Sequence, residues 1–163
     1  MRLSPRALGF LIAVVTLAVD QGHKIWMLDV FDIAARQPVA LTPFLDLVMA
    51  WNPGISYSLL SAQTPEGRLA LLALSLVATL LLGLWLWRAP DRITTVGLGL
   101  IVGGALGNAY DRFAYGAVAD FFHFHVGGFH WYIFNLADVA IVAGVGLLLY
   151  ESFFVTGKTN ETA

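Results

Sequence analysis

The sequence predicts an all-α membrane protein of four transmembrane helices, with a small extramembrane β-rich cradle on the side away from the cytoplasm. Three observations carry that prediction. Of the 163 residues, 58% are hydrophobic and only 12% charged, whereas about a quarter of a soluble domain is charged. Residues 69–87 and 93–110 hold no charge at all, and each run is long enough to cross a hydrocarbon core of about 30 Å as a helix. Two further apolar runs, 8–27 and 131–150, are interrupted only near one end.

Taken in order, the first span (8–27) carries Asp20 and Lys24 near its end. Arg2 and Arg6 ahead of an apolar run resemble a cleavable signal peptide. No small-x-small cleavage site follows, however, and the apolar pattern resumes at Ile25-Trp26-Met27, so a retained first helix is the better reading. Residues 28–66 form the longer external stretch, with strand formers around Val39 and from Phe44 to Trp51. Residues 61–68 suit a short surface helix entering the second span, 69–87. The third span is 93–110. The second external stretch, 113–132, alternates Phe122, Phe124 and Val126 with His123 and His125, then turns at Gly127-Gly128, which predicts a two-residue hairpin. The fourth span, 131–150, has Asp138 near its start, and the polar tail 156–163 is expected to be disordered. The whole chain reads as a single integral membrane domain.

Four helices place both termini on one side. Arg2, Arg6, Arg88, Arg92 and Lys158 then fall together, and the positive-inside rule makes that side cytoplasmic. Arg36 and Arg68 lie opposite. The absence of cysteine excludes disulfides, a thiol nucleophile and thiolate metal sites. No basic run suggests nucleic acid.

Asp120 and Asp138 are the most informative residues. A carboxylate inside hydrocarbon costs roughly 2.5–3.5 kcal/mol at the centre of a spanning helix, and chains that keep one there usually use it. Neither aspartate has a lysine or arginine within four positions. A raised pKa is expected for such acids, and two of them close together would share one proton, as in an aspartic protease. Other polar groups collect at the same membrane face: Asp20 with Lys24, Asn108 with Asp111 and Arg112, and Asn135 with Asp138, all at helical spacing. Asn52-Pro53-Gly54 lies on that side too.

Plainer readings apply to several of these. Asp20 with Lys24, and Asp111 with Arg112, suit structural ion pairs at helix ends, and Asn108 and Asn135 suit hydrogen bonds between helices. Gly99, Gly103 and Gly107 repeat every four residues, a face for close helix packing. His123, His125 and His130 invite a metal-site reading. Alternation on a hairpin explains His123 and His125 equally well, and there is no HExxH pattern, so no metal is expected. Ser56 or Ser58 with Lys24 could mimic a serine–lysine pair. A proton-coupled transporter would also need intramembrane acids, but its polar groups would cross the membrane, whereas here they gather at one face.

Five motifs in order resemble the lipoprotein signal peptidase (signal peptidase II) family, aspartyl proteases of the bacterial inner membrane. They are Asp20-Gln21-x-x-Lys24, Asn52-x-Gly54-x-Ser56-Tyr57-Ser58, Gly104-x-x-Gly107-Asn108-x-x-Asp111-Arg112, Val118-x-Asp120-Phe121 and Phe134-Asn135-x-Ala137-Asp138. The chain departs from the family pattern at Ser56-Tyr57, where Ala-Phe is commoner, and at His123, where many members carry an acid. The resemblance implies that Asp120 and Asp138 are the catalytic dyad. It implies that Asn108, Arg112 and Asn135 line the site, that Asp20, Lys24, Asn52 and Gly54 support it, and that Asp111 is structural. It further implies a diacylglyceryl-prolipoprotein substrate cut just before the lipidated cysteine, inhibition by globomycin, and no metal or organic cofactor. The expected setting is a monomer among inner-membrane phospholipids, with the active site at the periplasmic face.

Overall fold

Each long helix starts at a residue chosen for the job. In the computed structural model, which describes residues 3–54 and 64–156, Ser4 caps α1 (Pro5–Ile25) by accepting from the Ala7 N–H, with Pro5 in the first turn. The helix runs on through a π-helical turn, Trp26–Val30, and a short helix α2 (Ile33–Arg36) follows. Thr64 caps α3 (Pro65–Trp87) in the same way, again with proline in the first turn. Residues 65–68 are thus the first turn of the spanning helix rather than a separate surface helix, and residues 61–63 lie outside the described part. Asp91 caps α4 (Arg92–Tyr115) through the Thr94 N–H at 2.9 Å. That helix stops at Gly116, whose φ of +75° is a left-handed conformation open to glycine. Asn135 caps α5 (Leu136–Tyr150), which continues as a π-helical segment to Thr156. Four helices, Pro5–Val30, Pro65–Trp87, Arg92–Tyr115 and Leu136–Val155, are long and apolar enough to cross a membrane.

α4 is the central helix: 67% of its apolar window is buried, against 22% or less for the others. Its small residues explain why. A Cβ on Gly99 or Gly103 would come within 2.7 Å of the Gly9 carbonyl or 2.5 Å of the Ala13 carbonyl of α1. One on Gly104 would meet the Ala137 carbonyl of α5 at 2.6 Å. The glycines therefore let two neighbouring backbones approach α4 at once.

The extramembrane part is a four-stranded antiparallel sheet of order β1 (Val39–Thr42), β2 (Leu45–Asn52), β3 (Val118–Val126), β4 (Phe129–Phe134). Gly127-Gly128 turns β3 into β4. Residues 131–134, which the sequence suggests as the start of the fourth span, are instead the end of β4. The run Trp131-Tyr132-Ile133-Phe134 suits either structure, and the Asn135 cap sets the helix boundary one residue later. The sheet sits on the end of α1 through a core of Met27, Ile33, Leu47, Ala119 and Phe121. Phe121 is fully buried, and burying such a ring contributes about 1.5–3 kcal/mol. That contact fixes β3, and hence Asp120, over the helix ends.

Candidate active site

The site forms where α1, α4, β3 and the start of α5 meet. Asp120 points inward from β3 and is 2% exposed. Its Oδ1 accepts from Asn135 Nδ2 at 2.6 Å and its Oδ2 from Asn52 Nδ2 at 3.1 Å. Asn52 ends β2, and its own Oδ1 accepts from the Gly54 N–H at 2.9 Å. Gly54 has φ +103°, a conformation that an L side chain rarely adopts. Asp138, half-buried in the first turn of α5, accepts from Asn108 Nδ2 at 2.8 Å through Oδ1. Its Oδ2 accepts from the Asn135 N–H at 3.2 Å, while the Asp138 N–H donates to Asn135 Oδ1 at 3.0 Å. The two side chains thereby close a reciprocal capping box at the start of α5.

The two aspartates are joined by amides. Asn135 Nδ2 also donates to Asn108 Oδ1 at 3.2 Å, so Asp120, Asn135, Asn108 and Asp138 form one connected network. Burial is the main influence on Asp120 and holds its carboxyl up to about 6, against an ordinary 3.8. The hydrogen bonds from Asn52 and Asn135 oppose that rise, and the nearby Asp138 charge adds to it.

A second cluster, built on ion pairs, lies behind the first. Lys24 Nζ is 2.9 Å from Asp20 and 2.7 Å from Asp111, and all three side chains are almost wholly buried. Asp20 Oδ1 accepts from the Ala137 N–H and Asp111 Oδ2 from the Ala119 N–H, which ties the cluster to the start of α5 and to β3. Lys24 also reaches Asn108 Oδ1 at 3.3 Å. Asp111 therefore pairs with Lys24 and not with its sequence neighbour Arg112, because the two successive helical residues point to different faces. Arg112 is half-buried, donates to the Asn108 carbonyl at 3.3 Å, and lies within the fields of Asp138, Asp111 and Asp120. Its Nε has no partner among the described residues.

Most residues singled out by sequence thus converge on one place. Gly99 and Gly103 lie deeper, in the α1–α4 contact, whereas Gly107 packs against the Asp20 carboxylate. Ser56 and Ser58 fall outside the described residues. Gln21 carries weight that sequence reasoning missed. Its Nε2 reaches Asp20, Asp111 and the Gly107 carbonyl at 3.0–3.1 Å. The signal was available only as the second letter of the Asp20 motif, since adjacent helical residues share no face. Asp46 was also missed. It accompanies His123 and His125 in the one grouping among the described residues with the donor types and spacing for a metal ion. An apolar groove of about 440 Å³, lined by Trp131, Phe134, Val139, Val142 and Ala143, opens directly beside Asp138. A groove of about 510 Å³ between α1, α3 and α4 touches neither aspartate of the network.

Fold and site together define a multi-pass membrane protein that holds an amide-bridged pair of aspartates at one end of its helices. The model of the family described as "Signal peptidase (SPase) II" matches residues 12–154, and the chain belongs to that family. The lipoprotein signal peptidase of Methylocella silvestris is 64% identical over 152 residues, 93% of this chain and 89% of that one. That of Beijerinckia indica is 59% identical over 151 residues, 93% of this chain and 90% of that one. A bacterial membrane enzyme solved by the in meso method at 1.9 Å superposes with a TM-score of 0.77 at 26% identity, covering 91% of this chain and 94% of that one.

Proposed function

We propose that this protein is a membrane aspartyl endopeptidase that removes the signal peptide from diacylglyceryl-modified prolipoproteins, cutting just before the lipidated cysteine. Family membership and the similarity to lipoprotein signal peptidases support the substrate class. The amide-bridged Asp120–Asp138 pair is the observation that carries the mechanism.

The mechanism needs one proton on the pair, and the buried Asp120, held up to about 6, is the member suited to carry it. The ionised carboxylate takes a proton from water as the water attacks the scissile carbonyl, and the carboxylic acid donates to the carbonyl oxygen. Asn108 orients the Asp138 carboxyl and Asn135 the Asp120 carboxyl. Asn52 holds the outer oxygen of Asp120, with Gly54 shaping the turn that positions it. Arg112, half-buried and anchored on the Asn108 carbonyl, sets a positive charge beside the aspartate pair. Asp20, Lys24, Gln21 and Asp111 hold the helix ends in place.

The setting is the inner membrane, with both termini cytoplasmic and the site at the periplasmic face. Arg6 lies over the Trp87 ring at 5.3 Å, so the first helix starts beside the end of α3 and its basic residue Arg88. By the positive-inside rule that end is cytoplasmic. Exposed Phe44, Trp51, Phe129, Trp131 and Tyr132 suit the opposite interface, among phospholipid headgroups. The groove beside Asp138 offers an apolar path for lipid-linked substrate at the depth of the scissile bond. The catalytic unit is a monomer, since the network is complete within one chain.

The test is cleavage of a diacylglyceryl-modified precursor peptide by purified protein in detergent, with and without a chelator and beside Asp138→Asn. Chelator-resistant cleavage before the lipidated cysteine, abolished in a folded Asp138→Asn variant, is the expected result. Substantial turnover by that variant would remove the dyad.

A further inference from the structure

The sheet carries a second cluster of chemistry-bearing side chains that peptide cleavage does not use. It comprises Asp46 on β2, His123 and His125 on β3, and His130 on β4. The strand register brings them together: Asp46 is paired with His123, and His125 with His130. The three imidazoles are in mutual contact, with ring centroids 5.2 Å apart for His123–His130, 5.3 Å for His123–His125 and 5.9 Å for His125–His130. Two pairs of donor atoms are already close. His130 Nδ1 is 3.3 Å from His123 Nε2, and His125 Nε2 is 3.0 Å from an Asp46 carboxylate oxygen.

Those spacings are hydrogen-bond distances, and they also lie near the donor separations of a tetrahedral cation. Zinc bonds of about 2.0–2.1 Å at tetrahedral angles put neighbouring donor atoms about 3.3 Å apart. The His123–His130 pair, at 3.3 Å, equals that separation, and the His125–Asp46 pair, at 3.0 Å, is slightly shorter. The donor atoms of Asp46, His123 and His125 also lie within 4.8 Å of one another, and His130, stacked on His123, joins that set of three by turning its ring. Three nitrogens and one carboxylate oxygen favour zinc, nickel or copper over magnesium or calcium. The side chains are partly exposed, with His130 outermost, which leaves an entry path.

We infer that Asp46, His123, His125 and His130 form a binding site for a divalent transition-metal cation of the zinc class, separate from the aspartate pair. The bound ion links β2, β3 and β4, and its attachment at His123 is on the same strand as Asp120. The ion fixes the cradle and has no part in the bond-breaking step.

The experiment uses tag-free, metal-stripped full-length protein in detergent, titrated with Zn2+ by calorimetry and with Co2+ by its visible ligand-field spectrum. The expected result is saturable binding of one ion per chain and intense tetrahedral cobalt bands. A His125→Ala/His130→Ala variant, still folded by circular dichroism and still active on lipopeptide, should bind about 100-fold more weakly, the loss that removing even an outer-sphere partner can cause. Asp46→Asn, which keeps all three imidazoles, should weaken binding less and shift the cobalt bands. Zinc binding no tighter in wild type than in the double variant would overturn the inference, as would wild-type protein giving only octahedral cobalt spectra.

Discussion

Replacing Asp120 by asparagine should stabilise the folded protein at alkaline pH while removing its activity. Asp120 is 2% exposed, and burial holds its carboxyl up to about 6 from an ordinary 3.8. The folded chain therefore binds this proton more tightly than the unfolded chain does. Between the two values the folded state keeps the proton and the unfolded state has lost it, so stability falls as pH rises. The contribution is fully present below about pH 4 and is gone above about pH 6. A difference of about two pH units corresponds to about 3 kcal/mol. At pH 8 the wild-type protein thus carries a burden of that size which a neutral asparagine lacks. The substitution has its own cost, because the new amide N–H must face an amide donor. Asn52 is exposed and can turn to water, unlike the buried Asn135, so that loss is about 1 kcal/mol. The net gain is about 2 kcal/mol at pH 8, or roughly 4–8 °C in Tm for a chain of this size, and it disappears by pH 4. Thermal unfolding in detergent, followed by tryptophan fluorescence from pH 4 to pH 8, reads the difference directly. The wild-type Tm should fall across that range relative to the variant. A variant that tracks the wild type at every pH, or is less stable at pH 8, would refute the burial argument.

Two further predictions concern the frame of the site. Lys24→Met leaves the Asp20 and Asp111 carboxylates buried without their cation, and breaking a buried pair in this way costs about 3–5 kcal/mol; thermal stability in detergent should drop accordingly, and a loss under 1 kcal/mol would show that the cluster does not hold the helices. Gly103→Leu drives a side chain into the Ala13 carbonyl and Thr16 of α1 and should cost at least 1–3 kcal/mol, whereas Gly146→Ala, where a Cβ meets nothing within 4 Å, should leave the unfolding temperature unchanged or slightly raised; equal effects at both positions would contradict the packing of α4.

What the sequence could reveal depended on how local each signal was. The charge-free runs and the alternation around Gly127-Gly128 are local, and they pointed to spanning helices and to a hairpin. Asp120 and Asp138 stood out because each lacks a basic neighbour in sequence. The partners of the buried charges were not legible. Asp111 sits next to Arg112 but pairs with Lys24, 87 positions away on another helix. The start of α5 was misjudged because four apolar and aromatic residues before Asn135 suit a strand and a helix alike. The Asn135-x-x-Asp138 spacing, a capping-box pattern, was the sign that could have placed it. Asp46 gave no hint of its place among the histidines, since sheet register alone brings it there.

The two buried clusters are mechanically one device, and the direction of each amide shows how. Asn108 Oδ1 accepts from Lys24 and from Asn135, which leaves its Nδ2 no direction but toward Asp138. Asn135 Oδ1 is held by the Asp138 N–H as the cap of α5, so its Nδ2 must point to Asp120. Neither amide can flip without setting an N–H against another donor, at a cost of about 1–3 kcal/mol for each buried group left unsatisfied. A lysine fixed by Asp20 and Asp111 thus determines which atom of Asn108 faces one aspartate. A helix cap determines which atom of Asn135 faces the other. Both donors are aimed before any substrate arrives, and under the proposed two-carboxyl mechanism that prior orientation is where catalytic power arises. On that proposal the buried ion cluster serves the chemistry without taking part in it, because the orientation of Asn108 depends on the Lys24 ammonium beside it.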